Sequence, residues 1–140
     1  MTSITSPAAA ADIQNFGEKK GTSSMSKPVG ALLRGEGAVV LLLTVWAYHS
    51  LGGNWWLFAA LFFVPDIFML GYLRNKQIGA AVYNAGHTYL APAGLALIGA
   101  VLGTSVLLPI ALIWAAHIGF DRMLGYGLKG SSDFKTTHLG

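Results

Sequence analysis

Residues 104–124, TSVLLPIALIWAAHIGFDRML, are the stretch on which the reading of this chain turns. It is close to the ~20 predominantly apolar residues that an α-helix needs to cross a hydrocarbon core of ~30 Å. Gly103 precedes it and Gly125 follows it, which suits a helix with a defined stop. Yet it carries His117 and Asp121, four residues apart and so stacked on one helix face. A charged side chain at mid-bilayer costs about 2.5–3.5 kcal/mol on insertion scales, so ionisable groups inside a span mark function by default.

Three more stretches of the same kind lie upstream, at residues 31–51, 54–73 and 78–102. The chain has 140 residues, 54% of them hydrophobic and 11% charged, against about 25% charged in an ordinary soluble domain. Its apolar residues run continuously and do not alternate, which is the pattern of membrane spans. Gly52-Gly53, Arg74-Asn75-Lys76 and Gly103 are the only separators, and connections this short force antiparallel neighbours. The expected fold is therefore all-α, a transmembrane up-down four-helix bundle over residues 29–124. Within it, 78–102 is expected as one tilted or kinked span; a split at Pro92 into a re-entrant pair is the alternative. Residues 1–28, rich in Ser, Thr, Ala and Gly, are expected to form a disordered extension, with residues 125–140 a C-terminal tail.

Basic residues set the expected orientation. Lys19, Lys20, Lys27 and Arg34 flank the start of the first span, Arg74 and Lys76 separate the second from the third, and Arg122, Lys129 and Lys135 close the fourth. The other two turns hold no Lys or Arg. The positive-inside rule then puts both termini and the middle loop in the cytoplasm, as in a multi-pass protein of the inner (plasma) membrane. Trp55 and Trp56 fall at the outer interface, where indoles anchor. The formal charge of +3 forms no basic face, which excludes a nucleic-acid partner; the partners expected are the lipid bilayer and either a second copy or another membrane protein. With no cysteine, thiolate metal sites, thiol nucleophiles and disulfides are excluded.

Given that topology, helix rise converts sequence position into depth. Asp66 lies roughly 12 Å from the inner interface, His87 roughly 16 Å and His117 roughly 10 Å, with Asp121 one turn nearer the cytoplasm. Glu36 enters near the inner headgroups beside Arg34. Ionisable groups from all four helices thus share the cytoplasmic half. Two imidazoles and two or three carboxylates on facing helices are a ligand set for Zn, Fe or Mn. The expected ligands are Asp66, His87, His117 and Asp121, with Glu36 as a fifth ligand or as a base on metal-bound water, and Asn84, Tyr83, Arg122 and His138 in support. A metal-activated water would allow hydrolysis of a lipid-linked or membrane-adjacent substrate. Pro65, lacking an N–H, is expected to free the carbonyl of Leu61 at the same depth.

Two other readings fit the same residues. The acids could be structural, neutralised by Arg34, Arg74 and Arg122, as in an assembly subunit. Alternatively, deep Asp and His residues could relay protons or bind a cation in a small transporter or channel.

The chain also resembles a known family, the small bacterial membrane proteins filed as domain of unknown function 4260. The resemblance runs from about Leu32 to Gly140. It is carried by Leu33-Arg-Gly-Glu36, Pro65-Asp66 with Leu70-Gly71-Tyr72, Tyr83-Asn84 with His87-Thr-Tyr, the block His117-Ile-Gly-Phe-Asp121-Arg-Met-Leu-Gly-Tyr-Gly-Leu-Lys129, and Thr137-His138-Leu-Gly140. It implies a compact four-span membrane protein whose tail, through His138, belongs with the rest, and it implies no activity.

Overall fold

The structure, a computed structural model, describes residues 27–129. The expected disorder of the N-terminal extension and the placement of His138 lie outside the described residues. Every apolar stretch is helical: α1 spans Lys27–Ser50, α2 Trp55–Phe62 followed by a 3-10 segment Val64–Leu73, α3 Lys76–Gly86, α4 Leu90–Leu102, and α5 Leu107–Leu124. Among the described residues, three spans are long and apolar enough to cross a membrane, Pro28–Ser50, Trp55–Leu73 and Leu107–Leu124. A fourth is reached if α3 and α4, which meet at a 43° bend, count as one broken span.

Local chemistry explains where these elements begin and end. The Asn54 side chain accepts hydrogen bonds from the N–H groups of Trp56 (2.9 Å) and Leu57 (3.2 Å), capping α2. Asn75 does the same for α3 through Ile78 N–H at 2.7 Å. Gly103 and Gly125, at φ 65° and 93°, close α4 and α5 in the left-handed conformation that glycine adopts at little cost.

Two segments depart from the sequence reading. The second span does not stay α-helical to its end. Proline at 65 cannot donate to the residue four before it, and the chain tightens into 3-10 geometry, with Asp66 N–H bonded to Phe63 carbonyl at 3.1 Å. The Leu61 carbonyl is not left free, because it receives the Phe63 N–H. The third span breaks at residues 87–89, not at Pro92. Proline is tolerated in the first turn of a helix, where N–H groups have no intrahelical partner, so Pro92 sits in the opening turn of α4 and the break falls before it.

Close packing is concentrated at glycines. A Cβ on Gly37 of α1 would come within 2.7 Å of Arg122 Cβ and 2.9 Å of Gly119 carbonyl oxygen. One on Gly119 of α5 would meet Gly37 oxygen and Leu41 nitrogen, each at 2.9 Å. The backbones of α1 and α5 therefore cross in direct contact, the small-residue packing that apolar spans use. α3 approaches the 3-10 segment in the same way, with Gly79 against Tyr72 and Gly86 against Phe68. These contacts join α1 to α5 and α3 to the 3-10 segment.

Candidate metal centre

Asp66 stands in the first turn of the 3-10 segment, His87 is the C-cap of α3, and His117 and Asp121 lie on one face of α5. The structure brings the four together: one donor atom from each lies within 4.8 Å of every other. His87 Nε2 and His117 Nε2 are 3.3 Å apart. His87 Nε2 is 3.7 Å from Asp66 Oδ1 and 3.5 Å from Asp121 Oδ2. His117 Nε2 is 3.6 Å from Asp66 Oδ1 and 3.7 Å from Asp121 Oδ2.

These separations discriminate between explanations. An N–H···O hydrogen bond spans 2.7–3.2 Å, so the four imidazole–carboxylate distances are too long for direct hydrogen bonds. A tetrahedral ion with bonds of ~2.1 Å to nitrogen and oxygen has donor–donor edges of ~3.4 Å, close to those observed. The imidazoles are 3% and 1% exposed, whereas Asp66 is 43% exposed at its side chain and Asp121 15%. The cluster is therefore closed on the histidine side and reached past Asp66.

Neighbouring groups orient the donors. His87 Nδ1 lies 3.0 Å from the Tyr83 carbonyl. A carbonyl only accepts, so the proton resides on Nδ1 and the Nε2 lone pair faces the cluster. The Tyr83 ring stacks on the His87 ring at 3.8 Å and 13°, and its hydroxyl approaches Asp121 Oδ2 at 3.5 Å. Trp114 Nε1 donates to the Gly86 carbonyl at 2.8 Å, satisfying a carbonyl exposed where α3 ends. Phe62 meets the His117 ring edge-on at 5.4 Å, while His117 Nδ1 is buried with no hydrogen-bond partner among the described residues.

The other residues singled out from sequence take different places. Asn84 does not face the cluster: its side chain donates to the Lys129 carbonyl (2.9 Å) and accepts from the Lys129 N–H (2.7 Å). It thereby straps the chain after Gly125 against α3. Arg122 lies over the Tyr89 ring, 4.9 Å from its centroid. Glu36, read as a base, is exposed on α1 and is not in the cluster. The arginine pairing considered above is not formed among the described residues: Asp66 and Asp121 face imidazoles, and the Arg34 guanidinium packs on Gly125.

Sequence reasoning missed Lys129 as part of this region. Its ammonium lies 4.7 Å from the Tyr83 ring centroid and 5.7 Å from that of Tyr72. Burial pushes its pKa below the ordinary lysine range, while the Asp121 and Asp66 carboxylates draw it back up. The one signal available was Gly125, which turns the chain back at the end of α5.

An all-helical chain with membrane-length apolar spans and a buried His-Asp cluster able to hold a metal is the class these features define. The chain belongs to the family described as a domain of unknown function (DUF4260), matched over residues 30–140. No curated protein and no solved structure matches it.

Proposed function

We propose that this protein is a metal-binding integral membrane protein, with Asp66, His87, His117 and Asp121 as the ligands of one divalent transition ion, Zn, Fe or Mn. The observation that supports it is five donor separations of 3.3–3.7 Å that link two imidazoles with each other and with two carboxylates, close to the edges of a coordination tetrahedron, the two carboxylates lying within 4.8 Å of each other. Two carboxylates balance a divalent charge, and neutral imidazoles with one nitrogen turned inward complete the set.

In this reading the chain is an up-down four-span bundle in the plasma membrane, with α3 and α4 as one broken span. Both ends are cytoplasmic and the metal lies in the inner half of the bilayer. Its chemistry is hydrolytic: a water entering on the exposed Asp66 side, as a fifth ligand or in place of that carboxylate, would have its pKa lowered toward neutrality by the ion. Glu36 is exposed on α1, apart from the cluster, and takes no part in this reading.

Elemental analysis of detergent-purified protein tests the reading. About one equivalent of Zn, Fe or Mn is expected in the native chain and little in the His87→Ala/His117→Ala double variant. If both are metal-free even after supplementation with each ion, the proposal fails.

A further inference from the structure

Between α4 and α5 runs an apolar groove that no element of the described chain fills. Its one end, of about 210 Å³, is walled by Tyr89, Ala93, Ala96, Leu108 and Ala111 among others. Its other end, of about 460 Å³, shares Ala96 and Leu108 and continues past Gly99 to Thr104 and Ser105. The two adjoin at Ala96 and Leu108 along the span and are floored by small residues, with Leu97 and Val101 exposed on the same helix.

The groove ends at a polar pair. Tyr89 closes it, and the Arg122 guanidinium covers the Tyr89 ring. Tyr89 Oη and Arg122 Nε are both buried with no hydrogen-bond partner among the described residues. Buried donors are almost always satisfied, and those of a cation are the costlier to leave bare. Arg122 also lines a narrow crevice with His87 and Asp121, so the pair stands between the groove and the metal cluster.

We infer that the groove holds one acyl chain of a lipid whose anionic head group is bound by Arg122 and Tyr89 beside the metal cluster. A hydrocarbon slot ending in two unsatisfied donors, one of them cationic, is complementary to an anionic lipid. The head group's position next to a metal rests on the reading above; lipid capture by the groove does not.

Native mass spectrometry of the purified full chain tests this, with dioleoyl phosphatidic acid, dioleoyl phosphatidylcholine and chainless glycerol 3-phosphate as probes. Phosphatidic acid adducts are expected to exceed phosphatidylcholine adducts, and glycerol 3-phosphate to bind weakly. Arg122→Gln should reduce phosphatidic acid binding about tenfold or more, the loss of one charge-assisted hydrogen bond. Ala96→Leu, which fills the groove where its two ends meet, should reduce binding of both lipids. Ala115→Leu gives a second filling variant if circular dichroism finds the first misfolded. Equal adducts in all variants, or glycerol 3-phosphate binding as well as the lipid, would overturn the inference. So would a dimer that Ala96→Leu dissociates without change in lipid, which would give the groove to a second copy. Metal content, measured on the same preparations, reports separately on the metal reading.

Discussion

Asn84 and Tyr83 are neighbours in sequence with separable duties. Tyr83 supports the cluster directly, through its ring on His87 and its hydroxyl near Asp121. Tyr83→Phe keeps the stacking and removes the hydroxyl, so metal affinity measured by competition with a chelator should fall by up to about tenfold, the low end for outer-shell partners. The effect is at that end because the hydroxyl stands 3.5 Å from Asp121 and would have to close on it when the ion binds. Asn84 instead holds Lys129 by two hydrogen bonds. Asn84→Ala should leave metal content near native but raise amide exchange in residues 125–129, since two bonds of about 1 kcal/mol each are lost. If Asn84→Ala empties the site while Tyr83→Phe does not, the assignment of roles is reversed. Because imidazole and carboxylate ligands must be deprotonated to bind, metal retention should also drop as the pH is lowered, with protons displacing the ion. Residue types and spacing were enough to name the four residues that the structure brings together, since intramembrane ionisable groups are scarce. They were not enough to separate donors from supports: Asn84 shares a helix face with His87, and only its contact with Lys129 shows where it is used.

The helices are positioned by glycines that a hydropathy plot treats as neutral. Gly35 and Gly37 are two residues apart on α1, yet a Cβ at Gly35 would touch nothing within 4 Å while one at Gly37 would strike α5. Gly37→Val is expected to destabilise the fold by about 1–3 kcal/mol, as overpacking does, and to lower the melting temperature in detergent. Gly35→Ala should leave it within a fraction of a kcal/mol of native. Equal effects at the two positions would count against the α1–α5 crossing. The two breaks show why element boundaries were less legible than element existence. Proline near residue 65 and again at residue 92 flagged both places, but a missing N–H allows a kink, a 3-10 turn or a fresh helix start. In the second span the chain tightened and carried Asp66 to the cluster; in the third, the helix ended at His87 and restarted beyond it. Which outcome occurs depends on the neighbours packed against the segment, here Tyr72 and Phe68 against Gly79 and Gly86.

For the molecule as a whole, the proposed topology has a direct test. The chain contains no cysteine, so single cysteines can be introduced without background labelling. Lys76→Cys, at the first residue of α3, should react with a membrane-impermeant maleimide only after the cells are opened, and Ser105→Cys, before α5, in intact cells. The reverse pattern would place the metal cluster in the outer half of the bilayer. Membrane-length apolar helices and the four residues that the structure gathers into one cluster were named from sequence alone. The reason is that hydropathy and residue chemistry are properties of each segment by itself, and a ~30 Å hydrocarbon layer imposes length and polarity on every segment separately. Convergence of the two imidazoles and the two carboxylates, the separation of Glu36 from the cluster, the strap at Lys129 and the groove ending at Tyr89 are of another kind. They depend on how far apart two helices sit and where each bends, and those distances are set by contacts between residues distant in sequence, above all the backbone crossing of Gly37 and Gly119.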